Sequence, residues 1–127
     1  MKQVTPSPEW PESWKSSYEF DRLEIYHDVP RRYLGYANAY EARRSQTLEL
    51  IERVAKPGAR ILDLAAAQGN FSLLLAERGY EVTWNDLRSE LEGYVRLKKE
   101  KGSIHFVAGN ILEMKIPEQL YDVVLIA

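Results

Sequence analysis

The chain has 127 residues, is 45% hydrophobic and 28% charged, and carries a formal net charge of −2. These values are typical of one soluble globular domain with a modest core, and the near-neutral charge gives no sign of a nucleic-acid surface. The absence of cysteine excludes disulfides and thiolate metal sites, and no apolar run is long enough for a membrane helix, so we expect a soluble, cytoplasmic protein without a metal site.

The N-terminal part of the chain differs in pattern from the rest. Because proline fixes φ and lacks an N–H, three closely spaced prolines predict an extended leader over residues 1–17. Apolar residues then recur at helical spacing, which predicts an N-terminal helical cap over residues 18–56. Pro57 and Gly58 follow as stop signals for the helix.

Strands and helices alternate beyond residue 58. The sequence predicts four strands, at residues 59–65, 80–86, 103–110 and 121–127. The connecting segments are predicted as helices at residues 70–79 and 87–102 and as a loop or weak helix at residues 111–120. This alternation indicates an α/β fold with a Rossmann-like parallel sheet.

Polar or small residues follow three successive strands of this predicted sheet. The first strand ends in "DLAAAQGN", the second ends at Asp86, and the third ends at Asn110. Ligands of open parallel sheets bind beyond the carboxyl ends of the strands, where an acidic residue ending the second strand binds a ribose diol. Each position also has a purely structural explanation: tight strand–helix packing for the loop, a helix N-cap for Asp86 and a turn for Asn110. Because all three features occur together at the ends of successive strands, the sequence favours a nucleoside ligand.

The loop after the first strand indicates which class of nucleoside ligand the chain binds. Nicotinamide dinucleotides need glycine at the first two positions of G-x-G-x-x-G, so that the pyrophosphate can approach the backbone. This loop has alanine there, with Gly69 as its only glycine. The sequence therefore favours a ligand without a pyrophosphate.

Residues 59–127 resemble the cofactor-binding half of class I S-adenosylmethionine-dependent methyltransferases. The resemblance implies S-adenosyl-L-methionine as cofactor, a strand order of 3-2-1-4, and a cofactor-binding half domain at residues 57–127. Asp86 matches the residue that binds the ribose, and Asn110 the one that meets the adenine amino group. The predicted cofactor-binding residues are Asp63, Ala65, Ala67, Gly69, Asp86, Leu87, Asn110 and Ile111.

Two alanines of the first motif depart from the family pattern. Ala65 and Ala67 occupy positions where the family has glycine. An alanine at positive φ costs about 1 kcal/mol, so we expect negative φ at both, or strain at one at most.

The resemblance implies transfer of a methyl group to a small-molecule acceptor. The family's sheet has seven strands, so we expect the chain to be the N-terminal part of a longer enzyme and to be inactive alone. The catalytic residues are not identified, and we expect self-association through the edge of the fourth strand. The alternatives are a non-catalytic module that binds adenosylmethionine or a nucleotide, and an RNA 2′-O-methyltransferase, which the missing basic surface disfavours.

Overall fold

The computed structural model describes residues 1–115 and 120–127, so part of the predicted loop or weak helix at residues 111–120 lies outside it. The chain divides into two units, Thr5–Val54 and a second unit made of Met1–Val4 with Ala55–Ala127. In the described part of the chain, no helix combines the length and apolar character needed to cross a bilayer.

The Thr5–Val54 unit is helical. Helix α1 spans Glu12–Glu24, a 3₁₀ turn spans Arg31–Tyr33, and helix α2 spans Leu34–Val54. The prediction of an extended leader up to residue 17 is therefore wrong for residues 12–17. Pro11 precedes the first turn of α1 with φ −54°, a place where a missing N–H costs nothing. A helical cap that covers the ligand site stays a prediction.

The second unit contains a four-stranded parallel sheet. Its strands are β1 (Arg60–Leu64), β2 (Glu81–Asp86), β3 (Ser103–Ala108) and β4 (Val123–Ile126). Their order is β3-β2-β1-β4, with every neighbouring pair parallel. The predicted fold class and strand order are confirmed.

Two helices connect the strands. Helix α3 spans Asn70–Glu77 between β1 and β2, and helix α4 spans Leu91–Lys98 between β2 and β3. Helix α4 begins four residues later than predicted, and Leu87, which precedes it, is 70% exposed. The intervening chain forms a turn instead, in which the Leu91 N–H donates to the Arg88 carbonyl oxygen at 3.2 Å.

One face of the sheet carries large buried side chains of the core of this unit. Asp63, Trp84 and Phe106 lie side by side in register, and Trp84 is fully buried. Leu91, Tyr94 and Val95 of α4 are also fully buried, as the helical spacing predicts. On β4, at the edge of the sheet, Val124 is 54% exposed and Ile126 is 74% exposed.

Candidate functional site

The loop between β1 and α3 has a left-handed backbone at three positions. Ala65 has φ +51°, Ala67 has φ +49°, and Gly69 has φ +73°. The expectation of negative φ for the alanines is therefore wrong. The loop has the shape that alternating glycines would favour, although two of the three residues carry a methyl group.

Residues of β2 hold the loop in this shape. The Ala66 N–H donates to the Asn85 carbonyl oxygen at 2.8 Å, and the Ala67 N–H donates to Asp86 Oδ2 at 2.8 Å. The indole Nε1 of Trp84 donates to the Ala67 carbonyl oxygen at 3.0 Å. Three consecutive residues of one strand thus bind the backbone of the loop, and these bonds offset the unfavourable φ values of the alanines.

Glycine in place of either strained alanine should stabilise the protein. Relief of the left-handed strain outweighs the extra entropy of the unfolded glycine chain, so we expect Ala65→Gly and Ala67→Gly each to raise the free energy of unfolding by about 0.5–1 kcal/mol. Ala66→Gly is the matched control, because Ala66 lies between them without a positive φ, and it should lower stability by about 0.4–1 kcal/mol. Denaturant titration measures all three, and a loss of stability in both outer variants would contradict the strain.

Asp63 lies beneath the loop and faces α3. Its side chain is 2% exposed, and the Ser72 hydroxyl donates to Asp63 Oδ2 at 2.6 Å. Burial raises the pKa of Asp63 to about 7, against the hydrogen bonds from Ser72 and with a smaller contribution from the Asp86 carboxylate. Asp63 therefore joins the end of β1 to α3 through a carboxyl whose pKa lies well above its ordinary value.

Asp86 is the carboxylate at the centre of the predicted site. It is 5% exposed, and its Oδ1 accepts hydrogen bonds from the Arg88 N–H and the Arg88 Nε–H, both at 3.0 Å. Burial alone would raise the pKa of Asp86, but the hydrogen bonds from Arg88 and Ala67 outweigh it and lower the pKa below its ordinary value. Asp86 is therefore ionised at neutral pH.

The segment after β3 is attached to the same sheet edge. The Gly109 N–H donates to the Asp86 carbonyl oxygen at 2.9 Å, and the Asn85 amide donates to the carbonyl oxygens of Val107 and Gly109 at 2.9 and 3.2 Å. Asn110 follows, and its Oδ1 accepts from the Leu112 N–H at 3.0 Å. Asn110 thus has the turn role that the sequence left open as an alternative, and its part in ligand binding stays a prediction.

Two of the predicted cofactor-binding residues are apolar, and each directly follows one of the polar residues described above. Leu87 is 70% exposed directly after Asp86, and Ile111 is half-buried directly after Asn110. The hydrogen bonds of Ala66, Ala67 and Gly109 with β2 bring the ends of β1, β2 and β3 together, as the sequence predicts. Arg88, Asn85 and Ser72 were not predicted from the sequence, although the two-residue spacing from Asp86 to Arg88 is a visible signal.

Comparison with known proteins supports the same interpretation. A family model described as "Methyltransferase domain" matches residues 62–127. The demethylmenaquinone methyltransferase of Beutenbergia cavernae is 32% identical over 117 residues, which cover 84% of this chain and 45% of that protein. YqeM of Bacillus subtilis is 33% identical over 100 residues, which cover 74% of this chain and 40% of YqeM. The chain thus spans less than half the length of these curated relatives.

A solved structure shows the fold. The magnesium protoporphyrin IX methyltransferase of Synechocystis PCC 6803, solved with bound SAH, has a TM-score of 0.70 at 16% identity. The alignment covers 87% of this chain and 52% of that one. With the family match over more than half of its residues, the chain belongs to the family of S-adenosylmethionine-dependent methyltransferases.

Proposed function

We propose that this chain forms the cofactor-binding part of a cytoplasmic methyltransferase that transfers a methyl group from S-adenosylmethionine to a small-molecule acceptor. The observation that carries the proposal is the Asp86 carboxylate, which is ionised, nearly buried, and aimed by backbone N–H groups at the carboxyl end of β2. A vicinal ribose diol needs such a pair of fixed acceptor oxygens.

The other site residues are proposed to surround the same ligand. Leu87 and Ile111 offer apolar surface to the adenine ring, and Asn110 offers its amide to the adenine amino group. The loop of Ala65, Ala67 and Gly69 lies against the methionine part, with Asp63 beneath it. S-adenosylmethionine supplies an activated methyl group, and the contribution of these residues is to fix its position, which is a large source of rate in bimolecular transfers.

A small-molecule acceptor is supported by the relatives and by the surface charge. The Beutenbergia cavernae relative is named for demethylmenaquinone, which is a small molecule, and the net charge of −2 is not the basic balance that favours binding to nucleic acid. Self-association through the exposed edge of β4 stays a prediction, and the exposed apolar side chains of Val124 and Ile126 support it.

Calorimetric titration with S-adenosylhomocysteine tests the proposal. Charge-assisted hydrogen bonds contribute about 1.5–3 kcal/mol, so we expect Asp86→Ala to weaken binding at least about tenfold. Asp86→Asn keeps an acceptor oxygen but loses the charge, and it should fall between Asp86→Ala and the wild type.

Asp122→Ala is the matched control. It removes a carboxylate beside Arg60, at the amino end of β1, and should leave the dissociation constant unchanged. Thermal unfolding of each variant confirms that it folds. A dissociation constant for Asp86→Ala equal to that of the wild type would remove Asp86 from the site, and no binding by the wild type would overturn the proposed function.

A further inference from the structure

The guanidinium group of Arg88 covers the carboxylate that the ribose is proposed to need. Arg88 Nε donates to Asp86 Oδ1 at 3.0 Å, and Arg88 Nη2 donates to Asp86 Oδ2 at 3.4 Å. The side chain therefore approaches Asp86 through two nitrogen atoms, one for each carboxylate oxygen. This is the bidentate pattern by which arginine binds carboxylates.

Two further hydrogen bonds to Asp86 come from the backbone. The Arg88 N–H donates to Oδ1 at 3.0 Å, and the Ala67 N–H donates to Oδ2 at 2.8 Å. Each carboxylate oxygen thus has one backbone donor and one guanidinium donor. Because a carboxylate has about four acceptor positions, these four donors leave no position free.

A vicinal diol would use the same acceptor positions on Asp86 as the guanidinium does. It presents two O–H donors on neighbouring carbon atoms, one for each carboxylate oxygen. We propose that the guanidinium of Arg88 occupies the ribose site in the free protein. It binds Asp86 there, and it must move away from Asp86 before a ribose diol can bind. This inference rests on the proposed function, since it takes Asp86 as the ribose-binding residue.

The geometry allows the exchange without loss of the site. The side chain of Arg88 is 50% exposed and lies in the turn before α4, so it can move into solvent without disturbing the core. The two backbone donors remain when it leaves, and the carboxylate keeps its orientation. The cost of the exchange is the loss of a half-exposed, charge-assisted pair, which lowers the apparent affinity for the ligand.

Two substitutions of Arg88 separate hydrogen bonding from charge. Arg88→Met removes both, whereas Arg88→Lys keeps the charge and loses the planar fork. We expect both variants to bind S-adenosylhomocysteine about three to ten times more tightly than the wild type in calorimetry. Arg53→Met, which removes a 71% exposed arginine of α2, is the matched control and should leave the affinity unchanged.

A ligand without the diol makes the test specific. The 2′,3′-dideoxy analogue of S-adenosylhomocysteine cannot replace the guanidinium on Asp86, so its affinity should be the same for the wild type and both Arg88 variants. An equal gain for both ligands would mean that Arg88 obstructs the site in another way, and would overturn the proposal. Unchanged or weaker binding of S-adenosylhomocysteine by both variants would also overturn it, the weaker case showing that Arg88 contacts the ligand.

Nitrogen NMR of the wild type provides a second readout. The Arg88 Nε–H signal should be protected from solvent exchange in the free protein and lose this protection when S-adenosylhomocysteine is added. Persistent protection at saturating ligand would overturn the proposal while leaving the proposed function intact. If the wild type and the variants all fail to bind S-adenosylhomocysteine, both the proposed role of Arg88 and the proposed function are contradicted.

Discussion

Replacing Asp63 with asparagine should make the stability of the protein nearly independent of pH between pH 5 and pH 8. Burial raises the pKa of Asp63 in the folded protein to about 7, from the ordinary value of 3.8. The folded state therefore binds more protons than the unfolded state between these two values. The contribution of Asp63 to the free energy of unfolding is consequently greatest below pH 3.8, falls as the pH rises, and levels off above pH 7.

The size of this effect follows from the difference between the two pKa values. Each pH unit between them changes the free energy of unfolding by about 1.4 kcal/mol, so the wild type should lose roughly 2–3 kcal/mol between pH 5 and pH 8. Asparagine keeps an acceptor oxygen for Ser72 and cannot ionise. The stability of Asp63→Asn relative to the wild type should therefore rise by that amount over the same interval.

Denaturant titrations at several pH values measure this difference. Glu113→Gln, which removes an exposed carboxyl in the same manner, is the control and should follow the wild-type profile. A constant difference between Asp63→Asn and the wild type across pH 5–8 would show that Asp63 is ionised throughout, and that its burial does not govern its protonation.

Replacing Gly69 with alanine should destabilise the protein by about 2–4 kcal/mol. Gly69 has φ +73°, and a Cβ there would lie 2.8 Å from both methyl carbons of Val95 and 3.4 Å from Trp84 Cδ1. Val95 is fully buried and β-branched, so its side chain cannot turn away. The variant thus combines backbone strain with overpacking between the loop and α4.

A second glycine separates these two contributions. Gly58 has φ +75°, and a Cβ there would have no atom within 4 Å. Gly58→Ala should therefore cost only the backbone strain, about 1 kcal/mol. Adding Val95→Ala to Gly69→Ala should recover part of the steric loss, whereas equal costs for Gly58→Ala and Gly69→Ala would contradict the close approach to Val95.

The sheet and the positions of the polar residues could be predicted from the sequence because each depends on a local pattern. Alternating apolar strands and helices are sufficient to predict a parallel sheet, and residues that end neighbouring parallel strands meet at one edge. Asp86 and the segment before Asn110 are joined in this way through the Gly109 N–H. The order of the strands came from the family resemblance rather than from the pattern itself.

The backbone of the loop could not be predicted, because its cause lies on another strand. Ala65 and Ala67 have no local preference for positive φ, and it is the bonds from Asn85, Asp86 and Trp84 that hold the loop in place. Arg88 was overlooked for a related reason. Its spacing from Asp86 is visible in the sequence, but whether the side chain turns back depends on the turn that delays α4 to Leu91.

The hydrogen bonds from β2 to the loop also bear on the entropy of ligand binding. A glycine-rich loop samples many backbone conformations and loses that freedom when a ligand orders it. Here the hydrogen bonds from Trp84, Asn85 and Asp86 hold the loop in its left-handed conformation before any ligand arrives, although two of its residues are alanines. The ordering has thus been completed during folding, so a ligand that contacts this loop binds a preorganised surface and little conformational entropy remains to be lost there.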